Sequence, residues 1–183
     1  TSVKELLQSS EVVKKYPMIE IKWSIGQGGW ANVPWIAFLD ERETSTTQKG
    51  VYGVFLFRED MSGVYLTFNQ GVTEPKRQLG TSKAREFLRE QAQSLRDKYS
   101  VLSTAGYLLD DKIDLRARSG LGVDYESSTI AYKFYAAKLV PKDQEVLADI
   151  QALLEVYDNY ISSKVSNEMV KPVKPNNENN NSL

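Results

Sequence analysis

Apolar positions change period several times along this chain, and each change marks an element. Leu6, Leu7, Val12 and Val13 give one apolar face to a helix over 3–15. Thr1 or Ser2 can cap it, and Tyr16-Pro17 ends it, because the residue before a proline disfavours the helical region. From 18 to 25 the pattern alternates through Ile19, Ile21 and Trp23, which predicts a strand. Residues 33–39 are nearly all apolar and predict a strand buried on both faces. Residues 50–57 and 64–68 are β-branched and aromatic, and Asp60-Met61-Ser62-Gly63 joins them with turn chemistry, which predicts a hairpin. Residues 40–49, charged and rich in Thr and Ser, read as an exposed loop of variable shape. Residues 71–80 read as a long polar connection.

Ala84, Phe87, Leu88, Ala92 and Leu95 fall at helical spacing, so a helix is expected over 83–98 with Ser82 as its cap. Two short strands are expected at 106–109 and 113–118, with a loop at 119–122. A strand over 129–139 follows, carrying Ile130, Tyr132 and Phe134 on one side. After Pro141, Val146, Leu147, Ile150, Leu153, Leu154, Tyr157 and Ile161 sustain a 3–4 spacing that predicts a long amphipathic helix over 142–162. Strands cluster rather than alternate with helices. The fold class is therefore α+β, a mostly antiparallel, strongly twisted sheet flanked by helices. Residues 1–163 are expected to form one domain. From 164 the chain turns Pro- and Asn-rich with little apolar content, so 164–183 is expected to be a disordered linker or tail toward a further module.

Composition narrows the chemistry. The 183 residues carry a net charge of -1, so no bulk basic field exists, and any nucleic-acid surface must concentrate its cations locally. The chain has no cysteine and no histidine. That removes disulfides, thiolate nucleophiles and Ser-His-Asp catalysis, and makes a zinc site a poor fit. No apolar run reaches the roughly 20 residues that a membrane helix needs, and no signal peptide is seen. A cytoplasmic protein that makes no membrane contact is expected.

The most informative stretch is 25–39. Gly26, Gly28 and Gly29 permit backbone angles and close approaches that other residues resist, and Trp30 and Trp35 stand within and just after them. It is no dinucleotide fingerprint, because the third glycine is missing and a strand rather than a helix follows. No phosphate-binding P-loop occurs anywhere. The glycines suit either a hairpin turn or a loop that meets a planar ligand. Trp35, Tyr52 and Leu56 suit either a core or the aromatic wall of a pocket. Carboxylates are plentiful; Asp110, Asp111, Asp114 and Asp124, with Lys133, could be drawn into a metal-dependent nuclease, but their spacing compels no site and solvated surface charge is the better reading. Lys76, Arg77, Lys83, Arg85 and Arg89 form one basic cluster and Lys112, Arg116 and Arg118 another. Alternation on a strand would put Arg116 and Arg118 on one face beside the loop of Ser119, Gly120 and Gly122, a phosphate-binding arrangement.

Gly26-x-Gly28, then Val33-Pro34-Trp35-Ile36-Ala37-Phe38-Leu39, then Gly50-Val51-Tyr52-x-Val54-x-Leu56 together resemble the McrB-like N-terminal domain family. These are the DNA-binding domains of GTP-dependent restriction enzymes specific for 5-methylcytosine. The resemblance covers most of 10–162 and continues through Gly71-Val72-Thr73 and, loosely, Tyr125 and the last helix. It implies double-stranded DNA with a modified cytosine as the ligand, and a base flipped into a pocket of Trp35, Tyr52, Leu56 and Tyr125. Trp35 and Tyr125 are the implied stacking surfaces. It implies a duplex-inserting loop of Gly26, Gln27, Gly28, Gly29 and Trp30. Gln27 stands where a member of the family carries an aromatic wedge, so Trp30 or Gln27 must fill that role here. Lys22, Lys76, Arg77, Lys83, Arg116 and Arg118 are the expected phosphate contacts around the pocket mouth. The resemblance further implies no catalytic residue, metal or cofactor in this chain. It implies a GTPase or nuclease module in the same longer chain, a nuclease partner subunit, and a monomeric isolated domain. A metal-dependent nuclease domain and a protein-interaction domain of a defence complex are the alternatives.

Overall fold

The computed structural model describes residues 3–25, 33–117 and 120–169. Two short helices, α1 (Val3–Ser9) and α2 (Glu11–Lys14), precede strands β1 (Ile19–Ser24), β2 (Trp35–Asp40), β3 (Val51–Phe57) and β4 (Gly63–Gln70). Helices α3 (Thr73–Leu79) and α4 (Thr81–Lys98), a 3₁₀ turn (Ser100–Ala105) and α5 (Gly120–Ser128) lead to β5 (Ala131–Ala136) and the long α6 (Asp143–Met169). The strands form one sheet in the order β1-β2-β3-β4-β5, each pair antiparallel. The expected α+β class and the long C-terminal helix are both present.

Register and the two-residue period of strands sort the side chains between two faces. One face carries Ile21, Phe38, Gly53, Phe55, Leu66 and Phe68, and α6 lies on it. Gly53 lets α6 approach, since a Cβ there would stand 3.0 Å from the Leu153 side chain. The rings of Phe68 and Tyr157 meet edge-on at 6.1 Å. The other face carries Lys22, Trp35, Ala37, Tyr52, Val54, Leu56, Tyr65, Thr67 and Asn69. Residues of α5 and of the segment 113–117 contact this face.

The structure corrects the sequence reading in six places. The first helix is two, because Ser10 leaves the helical region and caps α2 by accepting the Val13 N–H. The polar connection 71–80 contains α3. It has no buried residue and so no apolar period, and its Pro75 sits in the first turn, where a missing N–H costs nothing. Where a strand was expected at 113–118, the described residues 113–117 form no ladder. Ile113 and Leu115 are buried while Lys112, Asp114 and Arg116 are not, so the alternation was real but reported one-sided burial rather than pairing. The strand expected at 106–109 reduces to a single bridge between Leu108 and Tyr132. The loop expected at 119–122 instead opens α5 at Gly120.

The 40–49 loop is also not a free surface loop. Asp40 pairs with Arg42, which reaches Asp158 of α6. Glu43 accepts from the Val51 N–H and the Tyr160 hydroxyl, and Lys164 closes on it at 2.6 Å. Glu43→Ala strands two donors, Val51 N–H and Tyr160 O–H. It is expected to lower unfolding free energy by about 1–3 kcal/mol in a urea titration. A loss no larger than that of Lys164→Met would show that the exposed ion pair is all that matters there. Helix α6 continues past the change of composition at Lys164 to Met169, and the Pro- and Asn-rich stretch beyond it lies outside the described residues.

Candidate nucleic-acid interface

Trp35 opens β2 directly after Val33 and Pro34. In the ladder it stands between Ser24 of β1 and Leu56 of β3. Tyr65 follows Leu56 in register, and Asn69 follows Tyr52. Trp35, Leu56 and Tyr52 therefore share one face of the sheet, with Tyr52 one strand-turn of four residues from Leu56. Tyr125 of α5 comes close enough to Tyr52 for the two hydroxyls to influence one another. Three of the four pocket residues of the sequence reading thus share a sheet face, with Tyr125 near Tyr52 at one end and Trp35 beside Leu56 toward the other.

Their exposures differ. Tyr52 is 2% exposed and Leu56 1%, whereas Trp35 and Tyr125 are half-buried. The Tyr52 hydroxyl donates to the Thr47 carbonyl at 2.8 Å. Burial pushes the Tyr52 phenol well above its ordinary value, with Tyr125 and Tyr157 adding to the rise. Burial also raises Tyr125, and the Asp124 carboxylate adds to it. Both phenols are therefore neutral hydrogen-bond donors at any physiological pH. Tyr52 and Leu56 make a floor, and Trp35 and Tyr125 are the members with ring surface to offer.

Trp35 also lines a cavity of about 480 Å³ at the end of the sheet, with Trp23, Ile25, Pro34, Ile36, Phe57 and Met61 and, at its rim, Lys4 and Ser24. That volume lies in the range of small-molecule sites. Trp23 is 53% exposed, Ile25 74% and Met61 57%, so the rim is apolar and open. Ile25 and Val33 flank the glycine segment, so the cavity lies where that segment leaves and rejoins the sheet. Trp23, Phe57 and Met61 were not singled out as site residues in the sequence. The exposed tryptophan at the end of an alternating strand was the available signal. Met61 adopts a left-handed φ of 57° in the β3–β4 turn.

The cations spread over several partners. Lys22 donates to the Ser45 carbonyl at 2.8 Å and lies 3.4 Å from Glu20. Lys76 pairs with Asp124 at 2.6 Å, and Arg77 with Glu74 at 2.6 Å. Lys83 is exposed on α4. Arg116 adopts φ 53° and faces Asp60 at 3.4 Å and Asp114 at 3.6 Å. Residues 113–117 form no strand, so the strand alternation that was expected to align Arg116 with Arg118 is absent there. Arg118 and the proposed inserting residues Gly26, Gln27, Gly28, Gly29 and Trp30 lie outside the described residues. Arg58 anchors the segment before Arg116. Its guanidinium lies 4.4 Å from the Phe134 ring and donates to the Asp114 carbonyl and the Tyr65 hydroxyl.

Among the described residues, no three acidic side chains converge in a way that could hold a metal ion, and no helix is long and apolar enough to cross a membrane. Asp124, one carboxylate of the nuclease alternative, is held by Lys76 and Arg85, and Lys133 pairs with Asp149 on the opposite side of the sheet. No curated protein matches the chain. A family model does match, over residues 1–162. The chain belongs to the MrcB-like N-terminal domain family, and is thereby a DNA-binding domain of a restriction system.

Proposed function

We propose that this domain reads a modified cytosine in duplex DNA by holding the extruded base against the aromatic layer of Trp35, Tyr52, Leu56 and Tyr125, with no catalysis of its own. The observation that carries this reading is that Trp35, Tyr52 and Leu56 share one sheet face, that α5 brings Tyr125 near Tyr52, and that the Trp35 and Tyr125 rings are half-buried. Extruding a base costs a few kcal/mol in lost stacking and pairing. Stacking on aromatic side chains returns about 1–3 kcal/mol per base, and phosphate contacts and the loop at 26–30 must supply the rest. A floor of Leu56 and the Tyr52 ring is suited to an added methyl group, because neither side chain demands a hydrogen bond from the position it covers. In the longer protein the domain acts as the specificity module. It passes the bound state to a GTP-driven motor and to a nuclease subunit.

Competition binding, read by fluorescence anisotropy, tests this with two duplexes that differ by a single cytosine methyl. One methyl in an apolar pocket is worth about tenfold or more in affinity, and a preference of that size is expected. Equal affinity for the two duplexes, and for hydroxymethylated DNA as well, would overturn the reading. Cleavage of either duplex by the purified chain with magnesium would replace it with the nuclease alternative.

A further inference from the structure

On the base-pocket reading just given, we propose that Asp124 is a positioning residue, setting the height and rotation of Tyr125 over the sheet. Helix α5 buries several polar side chains among its described residues. Its Val123 is 45% exposed, its Tyr125 is half-buried against the core, and Asp124, Ser127 and Ser128 are buried. The Asp124 side chain is 2% exposed. Its Oδ2 takes the Lys76 ammonium at 2.6 Å and its Oδ1 takes Arg85 at 2.9 Å. Those cations come from α3 and α4, so one carboxylate ties three helices together. At the other end of α5, the Ser128 hydroxyl donates to Asn69 Oδ1 at 2.6 Å, and Asn69 is the cross-strand neighbour of Tyr52. Tyr125 lies between these two anchors.

The type of anchor matters. Apolar packing tolerates small slides, whereas a buried carboxylate is stable only with its partners in hydrogen-bond geometry. Asp124 therefore holds α5 in one place relative to the floor residues Tyr52 and Leu56. A ring that bounds one side of a base pocket must keep its separation from the other side, and the Asp124 anchor supplies that constraint. Lys76, read in the sequence as a phosphate contact, spends its charge here on Asp124.

The test compares methylated and plain duplex binding by the whole chain for wild type, Asp124→Asn, Arg85→Met, Arg85→Lys and Trp35→Ala, each checked for folding by circular dichroism. Asp124→Asn and Arg85→Met are expected to reduce the methylated-to-plain preference at least about fivefold while changing affinity for plain duplex less than about twofold, and Arg85→Lys to restore most of the preference. An unchanged preference in the folded Asp124→Asn chain would overturn the proposal, as would an equal loss for both duplexes. Should Asp124→Asn fail to fold, Arg85→Met decides by the same two criteria. If Trp35→Ala loses the preference while the Asp124 and Arg85 variants keep it, only the positioning role falls. If wild type itself shows no preference, the pocket reading falls and takes this role with it.

Discussion

Trp35→Ala is expected to bring the preference for methylated over plain duplex to within about twofold of unity. The affinity for methylated duplex should fall by about 5- to 150-fold, the equivalent of one lost base–aromatic stack. Two features make Trp35 the position of largest functional effect. Its place between Ser24 and Leu56 puts it at the junction of the buried aromatic layer and the open cavity beside the glycine segment. It is also half-buried, so its ring has surface left for a ligand while its edge is fixed by the sheet. Trp35→Phe keeps a smaller ring and should fall between the alanine variant and wild type. Met61→Ala, at the exposed rim of the same cavity, controls for general disturbance there and should leave stability unchanged within about 0.5 kcal/mol. Full preference in a folded Trp35→Ala chain would remove Trp35 from the pocket.

The second large effect is on stability. Tyr52 ranks among the largest fully buried side chains, and its hydroxyl ties the 40–49 loop to β3 through Thr47. Tyr52→Ala is expected to cost about 3–5 kcal/mol through lost burial and the cavity left behind, enough to unfold a domain of ordinary stability. Alanine at this position therefore cannot report on DNA recognition. Tyr52→Phe keeps the ring and loses one hydrogen bond, an expected cost of about 0.5–1.5 kcal/mol in a urea titration. Its binding preference can be read in a folded chain. A Tyr52→Ala chain within 1 kcal/mol of wild type would mean that the floor of the aromatic layer is far looser than its burial indicates.

The elements that sequence pattern revealed are those whose burial is apolar and periodic. Helix α6 presents Ile150, Leu153, Leu154, Tyr157 and Ile161 to the sheet as the 3–4 spacing predicts. Four of the five apolar positions assigned to α4 are buried, and Phe87, the exception, is 45% exposed. What pattern missed is held by polar contacts. Helix α3 buries no side chain, and α5 is tied down through the buried Asp124 and Ser128. The 40–49 loop looked free because its residues are charged, but Glu43 accepts from the Tyr160 hydroxyl and the Asp40 N–H donates to the Tyr157 hydroxyl, partners more than a hundred positions away. No local signal announces such partners.

The candidate site divides along the same line. Tyr52 and Leu56 share a face by strand parity alone, and the β2–β3 register adds Trp35 to it. Tyr125 came only from family resemblance, because no spacing rule connects α5 to β3. Trp23, Phe57 and Met61 meet Trp35 only through the closing of β1, β2 and the β3–β4 turn, a conjunction that needs the fold.

Base extrusion is the central claim, and its energetics offer the most direct test. An extruding protein must pull the target cytosine away from its partner guanine, so weakening that pair lowers the cost of the bound state. Affinity is to be measured for two duplexes that both contain the methylated cytosine, one opposite guanine and one opposite adenine. Tighter binding to the mismatched duplex, by about tenfold or more, is the expected result. Equal or weaker binding to the mismatch, alongside an intact preference for methylation in paired DNA, would show that the methyl group is read within the helix and would contradict extrusion into the Trp35–Tyr125 pocket.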